Sequence, residues 1–413
     1  MVRLTQDERA MLAGDQGPAV QKAMQMVNAL ATIFEADHLV PVASAQIAGV
    51  SYKNLGPAGL SFLEEWAAQG ARVRIPAFMN PAGMDLERWR EMGISEQFAR
   101  QQRRVVQVLA SMGVEQSCTC TPYLAGHVPE AGDHLAWSES SAVSYANSVL
   151  GARTNREGGP SALAAAITGR TAAYGLHLDS NRRATHRVTV RRTLKSEADF
   201  GALGYWVGQQ VADGVPCFRF VGEGRLTQPP TQEQLMALGA AMAASGAVAL
   251  YHIEGMTPEA GHACTQAGDI MPIEVGDLSP AYDALNHPLD DIDLVSLGCP
   301  HSTVADLERV ARLLEGRRVR AALWITTSRY ARRVAEQQGW VQRIETAGGH
   351  VFSDTCLVVA PIEELGFRAL ATNSAKAAFY SPSHSGLQRR FGRLQQCIEA
   401  ALTGRWSGGR LDG

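Results

Sequence analysis

Residues 292–326 read IDLVSLGCPHSTVADLERVARLLEGRRVRAALWIT, and this stretch decides the fold class. The apolar run over Ile292–Leu297 predicts a buried strand. A helical pattern follows over 303–315, and a second apolar run over Ala321–Thr326 predicts the next strand. The alternation continues with a predicted helix over 329–346 and a predicted strand over Val351–Val359. Strands that alternate with helices in this way are typical of an α/β fold.

The N-terminal part of the chain shows the same alternation. Its predicted elements are a helix over 16–34, strands over Leu39–Ser44, Val73–Phe78 and Val114–Cys120, and helices over Ser140–Leu150 and Pro160–Thr171. The composition then changes at the polar, basic segment Asn181–Arg187, and a further strand–helix pattern continues to about residue 255. Gly261–Pro288 is rich in Gly, Pro and Asp, and we interpret it as a loop. We therefore expect three α/β domains, at residues 1–184, 185–280 and 281–413.

Composition excludes several classes of protein. The chain has 413 residues, of which 46% are hydrophobic and 19% charged, so neither intrinsic disorder nor a coiled coil is expected. The net charge of −3 provides no basic surface for nucleic acid. The sequence contains no apolar run of about 18 residues, and residues 1–8 lack the apolar segment of a signal peptide. We expect a soluble, cytoplasmic protein that binds neither nucleic acid nor a membrane.

The cysteines suggest a reactive or metal-binding site. Seven cysteines in a chain without an export signal make a disulfide framework unexpected, and leave metal binding, catalysis and burial open. Cys120, Cys299 and Cys356 each lie at or after a predicted strand, where ligands of α/β sheets bind. Taken singly, each is more simply a small buried residue. Three thiolates on a cubane cluster would leave one iron without a protein ligand, which is the arrangement that a hydro-lyase uses.

A polar loop and one lysine are further candidates. Gly151–Ser161, GARTNREGGPS, opens a predicted helix, and its Arg153 and Arg156 suit carboxylate contacts, although a solvated loop is the alternative. The helix before it carries a polar stripe of Ser140, Ser144 and Asn147. Lys376 lies among small apolar residues, where it would form a Schiff base, anchor an anion or simply reach the surface. The sequence contains no GxSxG, HExxH, Walker A or GxGxxG motif.

Seven stretches carry a resemblance to a known family. They are Gly14–Pro18 (GDQGP), Cys118–Tyr123 (CTCTPY), Ala136–Val143 (AWSESSAV), Tyr145–Gly159 (YANSVLGARTNREGG), Gly298–His301 (GCPH), Asp354–Cys356 (DTC) and Thr372–Lys376 (TNSAK). In this order, over residues 11 to about 385, the chain resembles the catalytic part of aconitase X, a divergent branch of the aconitase superfamily. The Tyr145–Gly159 block is long enough to be highly specific.

The resemblance implies several α/β/α domains of the aconitase type around a central active-site cleft. It also implies an iron–sulfur cluster, of a nuclearity that the sequence leaves open, with Cys120, Cys299 and Cys356 as its ligands. Family positions around the substrate assign the other site residues: Lys376, Ser140 and Asn155 in catalysis, and Arg156, Ser44, Asn80 and Ser374 in substrate binding.

The resemblance further implies a small hydroxy-acid substrate. One class of the family dehydrates cis-3-hydroxy-L-proline to Δ1-pyrroline-2-carboxylate, and another dehydrates mevalonate 5-phosphate. The Arg-rich, Lys-poor composition is more typical of a GC-rich bacterium than of a hot archaeon, and favours hydroxyproline.

The small swivelling domain of the superfamily, which brings a serine base, has no counterpart in this sequence. We therefore expect a separately encoded small subunit, with the catalytic base on that partner. A non-catalytic binding subunit is the rival hypothesis, whereas an RNA-binding role is disfavoured by the near-neutral charge.

Overall fold

A computed structural model describes residues 2–265 and 270–407. The elements of its first part are α1 (Gln6–Ala13), α2 (Pro18–Ile33), β1 (Leu39–Pro41), β2 (Ser44–Ile47), α3 (Tyr52–Ala68), β3 (Ala77–Met79), α4 (Glu96–Ser111), β4 (Leu135–Trp137), α5 (Ser140–Ser148), α6 (Gly159–Thr168) and β5 (Arg170–Ala172). The strand β2 lies between β3 and β4 in a parallel sheet, and β1 pairs antiparallel with β5. The segments that follow β2, β3 and β4 therefore leave the sheet at one edge.

The second part is a parallel sheet with strand order β8-β7-β6-β9. Its elements are β6 (His186–Val190), α7 (Glu197–Val211), β7 (Pro216–Phe220), α8 (Gln232–Gly246), β8 (His252–Ile253), α9 (Ala260–Ala263), β9 (Met271–Val275) and α10 (Ser279–Ala284). The strand β6 pairs with both β7 and β9, which places it at the centre of this sheet.

The third part is a parallel sheet with strand order β12-β11-β10-β13-β14. Its elements are β10 (Leu294–Ser302), α11 (Val304–Leu313), β11 (Ala322–Thr327), α12 (Arg329–Gln337), α13 (Trp340–Thr346), β12 (His350–Ser353), β13 (Ala369–Thr372), α14 (Ala375–Ser385), β14 (Gln388–Phe391) and α15 (Leu394–Thr403). The α/β class expected from the sequence is confirmed. The domain boundaries proposed from the sequence stay a prediction.

The first and third parts share one hydrophobic core. Phe352 and Leu370 from the third part are buried in the same cluster as Met79 and Met84 from the first. Backbone bonds cross the boundary as well: the Ala82 N–H donates to the Asp354 carbonyl oxygen at 2.7 Å. Because burial on both sides fixes the two sheets together, the loops at their facing edges have fixed relative positions.

Two local expectations are wrong. The run Val114–Cys120 is not a strand: Glu115 forms an isolated bridge with Phe78, and Cys118 then adopts a left-handed backbone with a φ of 44° that turns the chain away. Gly261–Pro288 is not simply a loop, because it contributes β9 to the edge of the second sheet and the helix α10; its residues 266–269 lie outside the described part. Strand pairing with distant residues decided both segments, and local composition does not contain that information.

The absence of disulfides expected from the cysteine count is also corrected. Cys217 and Cys264 form a disulfide within the second part of the structure. Cys217 lies on β7, and Cys264 ends the short helix α9 that follows the neighbouring strand β8. The chain returns to the same sheet after 47 residues, so the fold brings together two thiols that look unrelated in the sequence. Among the described residues, no helix has both the length and the apolar character needed to cross a bilayer.

The helices α7 and α8 pack closely because glycines line their contact. A Cβ atom on Gly204 of α7 would lie 2.4 Å from the carbonyl oxygen of Leu238, and one on Gly246 of α8 would lie 1.9 Å from that of Gly208. Both distances are far shorter than van der Waals contact, and the obstructing atoms belong to backbone. The crossing of α7 and α8 therefore requires glycine at these positions.

We predict that Gly204→Ala lowers the free energy of unfolding by about 1–3 kcal/mol, because the added methyl group forces the two helices apart. Gly261→Ala on α9 is the matched control, since no atom lies within 4 Å of its added Cβ. The control gains helix propensity without a clash, so its stability should stay unchanged or rise. Denaturant unfolding of both variants measures the difference, and equal stability would contradict the packing argument.

Candidate functional site

Three cysteines come together where the first and third sheets face each other. Cys120 ends the irregular segment beside β3, Cys299 lies on β10, and Cys356 follows β12. Burial raises the pKa of all three thiols, to about 12 for Cys356, and the neighbouring thiols add to the effect: Cys356 raises the pKa of Cys120, and Cys299 raises that of Cys356. The three thiols converge as expected from the sequence, although Cys120 arrives on an irregular segment and not at the carboxyl end of a strand.

Cys118 faces a different environment from Cys120, although one residue separates them. Burial raises the pKa of its thiol, and the charged groups that act on it are Asp354 and Arg329. Cys299 and Cys356 are not among the groups that shift the pKa of Cys118. Cys397 is buried within α15 and is free. The geometry therefore singles out Cys120, Cys299 and Cys356 as the set that could hold one cofactor.

The thiols are not arranged around a single ion. Among the residues that the structure describes, no group of three or more His, Cys, Asp or Glu side chains has the geometry for one metal ion. An iron–sulfur cluster makes a different demand, because each cysteine binds a separate iron of the cluster and the sulfur atoms stay well apart. Three buried thiols from separate segments fit that demand.

A buried ion pair lies beside the thiols. The Lys376 ammonium contacts the Glu139 carboxylate, and it also approaches the hydroxyl groups of Ser140 at 3.4 Å and Ser141 at 3.5 Å. Burial alone would lower the pKa of Lys376, but Glu139 and the thiols of Cys299 and Cys120 raise it above the ordinary value. The lysine is therefore a buried cation rather than a Schiff-base amine or a surface group.

Glu139 was missed by the sequence reasoning. Burial would raise the pKa of its carboxyl, but the charge of Lys376 and hydrogen bonds from Lys376 and Asn80 outweigh burial and hold that pKa at about 2. The Asn80 amide nitrogen donates to Glu139 Oε2 at 2.9 Å. Glu139 lies two residues after the apolar strand β4 and directly precedes α5, and an acidic residue just past a strand end was the available signal.

The predicted substrate-binding residues fall into two groups. Asn80 lies at the centre of the site, and its Oδ1 atom is buried without a hydrogen-bond partner among the described residues. Arg156 is exposed, and its charge helps to lower the pKa of Glu139. The Ser374 hydroxyl donates to the Cys299 carbonyl oxygen and caps α14. These three side chains surround the cysteines and the ion pair.

Asn155 and Ser44 are engaged elsewhere. The Asn155 amide donates to the Tyr174 carbonyl oxygen at 3.1 Å and accepts from the Leu176 N–H at 2.8 Å, so it supports a turn of the backbone. Ser44 lies at the amino end of β2, opposite the edge that carries the site, and accepts from the Trp137 indole N–H at 3.1 Å. The structure does not bring either side chain to the cysteines.

Hydrogen bonds from Asn147 and Arg182 hold the polar loop Gly151–Ser161 in place. The Asn147 side chain donates to the Thr154 carbonyl oxygen at 2.8 Å and accepts from the Thr154 N–H at 2.9 Å. The buried guanidinium of Arg182 donates to the Ala152 carbonyl oxygen at 3.0 Å and is itself paired with Glu259. These contacts fix the loop that carries Arg156 and give Asn147 a supporting role.

Three models of known protein families match this chain in order. They are "Aconitase X first domain" over residues 1–180, "Aconitase X second domain" over 184–283 and "Aconitase X third domain" over 292–403. This chain belongs to the aconitase X family. The resemblance stated from the sequence is therefore confirmed, and the chain is an enzyme of the hydro-lyase class, as its relatives are named dehydratases.

Relatives within the aconitase X family carry two names. The "Phosphomevalonate dehydratase large subunit" of Methanothermobacter thermautotrophicus is 52% identical over 94% of this chain and 95% of the relative. The "Cis-3-hydroxy-L-proline dehydratase" of Pseudomonas aeruginosa is 36% identical over 98% of this chain, but over only 70% of the relative. The crystal structure of Thermococcus kodakaraensis aconitase X in its holo-form superposes with a TM-score of 0.89 at 43% identity, covering 97% of this chain and 100% of that one. The aconitase-type α/β fold is thereby confirmed.

We predict that Lys376→Met lowers the free energy of unfolding at pH 7 by about 3–5 kcal/mol, because it leaves the Glu139 carboxylate buried without its cation. Adding Glu139→Gln should recover most of the loss. Lys22→Met is the control: Lys22 pairs with Glu65 at 3.2 Å on the surface, and its loss should cost about 0–1 kcal/mol.

The same variant should show a changed pH dependence. In the parent chain the low pKa of Glu139 contributes stability above the pKa of an unfolded carboxyl, and this contribution is lost as pH falls toward 2. In Lys376→Met, burial raises that pKa, so Glu139 accepts a proton as pH falls and the deficit narrows. Chemical denaturation at several pH values measures this, and a deficit independent of pH would contradict the buried pair.

Proposed function

We propose that the chain is the large subunit of an iron–sulfur hydro-lyase that dehydrates mevalonate 5-phosphate. The observation that carries the proposal is the 52% identity to a phosphomevalonate dehydratase large subunit over 94% of this chain. A second relative of that name, from Methanocaldococcus jannaschii, is 45% identical over 96% of the chain and 99% of the relative. These matches favour the phosphorylated substrate over cis-3-hydroxy-L-proline, which composition alone had favoured. The Arg-rich, Lys-poor composition says nothing about a substrate, because the ratio of Arg to Lys follows codon usage.

Cys120, Cys299 and Cys356 are the proposed ligands of the cluster. When bound, a cluster held by three thiolates supplies a Lewis-acidic iron that assists departure of the substrate hydroxyl group. The unpartnered Oδ1 atom of Asn80 supports a substrate site beside these thiols, because a buried amide oxygen is costly unless a donor, such as a substrate hydroxyl group, satisfies it.

The proposed role of Lys376 and Arg156 is to bind the substrate carboxylate. Ser140 and Ser141 accept from the ammonium of Lys376, and Glu139 keeps that group charged and oriented. Both candidate substrates carry a hydroxyl group on the carbon β to a carboxylate, so one cationic anchor suits either. Elimination of water then requires removal of a proton from the α carbon, which lies between the carboxylate and the carbon that carries the hydroxyl group.

The proton acceptor is proposed to lie on a separate small subunit. Glu139 is a poor general base at neutral pH, because its pKa of about 2 lies far below the operating pH and Lys376 already occupies the carboxylate. The relatives of matching length are named large subunits, which implies a small one, whereas the hydroxyproline dehydratase extends well beyond this chain. The domain division at 1–184, 185–280 and 281–413, the catalytic roles of Asn155 and Ser140, and the substrate-binding roles of Ser374 and Ser44 stay part of the proposal.

We predict that the anaerobically purified chain contains equal amounts of iron and acid-labile sulfide, with broad absorbance between about 320 and 450 nm. Ser in place of Cys120, Cys299 or Cys356 should remove most of the absorbance. Cys397→Ser is the control, because that thiol is buried and free but distant in the fold, on α15. If Cys120→Ser keeps the full spectrum while Cys118→Ser loses it, then Cys118 is the ligand.

A separate experiment tests which of the two candidate substrates the enzyme dehydrates. The chain is combined anaerobically with the small subunit encoded in the same genome, and water elimination is followed by mass spectrometry. Mevalonate 5-phosphate should be dehydrated, and cis-3-hydroxy-L-proline should not. Turnover of hydroxyproline alone would reverse the substrate proposal, and a chain that stays colourless and iron-free after reconstitution would favour a non-catalytic binding subunit.

A further inference from the structure

A buried histidine connects the three cysteine-bearing segments. His301, which lies two residues after Cys299 on β10, has no solvent exposure. Its backbone N–H donates to the Cys120 sulfur at 3.2 Å. Its ring lies between the Thr119 hydroxyl, at 3.0 Å from Nδ1, and the Thr355 carbonyl oxygen, at 2.9 Å from Nε2. Thr119 and Thr355 directly precede Cys120 and Cys356, so one residue contacts the neighbourhood of every candidate ligand.

The Thr355 carbonyl oxygen fixes which ring nitrogen of His301 carries a proton in the neutral ring. A carbonyl oxygen only accepts, so Nε2 of His301 carries the proton that bonds to Thr355. Nδ1 of the neutral ring is then an acceptor, and the Thr119 hydroxyl must donate to it. Thr119 in turn accepts from the Thr121 N–H at 3.1 Å. The result is a directed chain from Thr121 to Thr355, in which Thr119 and His301 each accept one hydrogen bond and donate the next. The Thr121 hydroxyl also lies 3.1 Å from the Thr119 hydroxyl.

The backbone around Cys120 and Cys356 explains why these hydrogen bonds of His301 are needed. Cys120 belongs to a segment without regular strand pairing, and Cys356 lies just past the end of β12. Neither position is fixed by a sheet ladder, whereas His301 directly precedes Ser302, the β10 residue that pairs with Thr327 of β11 after a break in the β10–β11 register. The imidazole therefore links the two less regular segments to the carboxyl end of β10.

We infer that His301 is a positioning residue that holds the three cysteine-bearing segments at the spacing that the cluster requires. The inference rests on the proposed function, because it presumes that the cysteines bind the cluster. Residues that hydrogen-bond to metal-binding side chains affect how tightly the metal is held. Their loss typically lowers metal affinity about 10-fold to 100-fold. His301 contributes through three hydrogen bonds, without being a ligand itself.

The test compares His301→Ala and Thr119→Val with Thr119→Ser. The first two remove the ring or the hydroxyl donor, whereas serine keeps the donor and serves as the conservative variant. His252→Ala is the matched control, because His252 is equally buried and its Nε2 bonds to the Arg182 carbonyl oxygen at 2.8 Å, but it lies on β8 in the second sheet. The readouts are iron and sulfide per chain after anaerobic reconstitution, the rate of iron loss to a ferrous chelator, and circular dichroism to verify folding.

We expect iron loss to be about 10-fold to 100-fold faster in His301→Ala and Thr119→Val than in the parent chain, with Thr119→Ser and His252→Ala close to the parent. Parent-like cluster content and iron loss in a folded His301→Ala or Thr119→Val chain would overturn the inference. Equal losses in His301→Ala and His252→Ala would overturn it too, because they would indicate general destabilisation. A parent chain that binds no cluster would remove the proposed function itself, and the inference with it, which distinguishes the two failures.

Discussion

The pairing of Lys376 with Glu139 is the constraint on which the site depends. The two residues lie on α14 of the third part and at the start of α5 in the first, separated by more than two hundred positions in the sequence. A buried charge without a partner is strongly unfavourable, so neither segment can move away without the other. The pair also contacts Asn80 and lies near the thiols of Cys120 and Cys299. Because buried ion pairs add little net stability over apolar packing, we infer that this one specifies an arrangement of the site.

Parallel sheets explain how distant segments reach that pair. In a parallel sheet every carboxyl end lies at the same edge, so β2, β3 and β4 deliver their following loops to one place. The third sheet does the same with β10 and β12, which carry Cys299 and lead to Cys356. The shared core fixes the two edges against each other. Residues 181 positions apart, such as Cys120 and His301, therefore come within hydrogen-bonding distance.

The α/β class could be predicted from patterns that are local to a strand, and so could the positions of Cys299 on β10 and Cys356 after β12. Cys120 joins them from a segment that is not the predicted strand. Glu139 escaped prediction, since its role depends on a lysine contributed by another sheet. The catalytic role of Asn155 stays a prediction: its partners here are backbone groups of Tyr174 and Leu176, and a motif does not show which polar side chains the backbone will use. The Cys217–Cys264 disulfide depends on strand order in the second sheet, which local periodicity does not encode.

The centre of the site also explains how one family can have two substrates. Lys376, with the carboxylate of Glu139 beside it, presents a fixed cation, and the cysteines lie next to it. A carboxylate with a hydroxyl group on the β carbon is common to mevalonate 5-phosphate and to cis-3-hydroxy-L-proline, so in the proposed function these groups recognise what the two substrates share. Discrimination must then act on the part that differs, a phosphate in one case and a secondary amine in the other. Sequence identity over 94–96% of the chain favours a phosphate-bearing substrate, so in the proposed function the residues that select it lie around the far end of the substrate, on this chain or on the proposed small subunit.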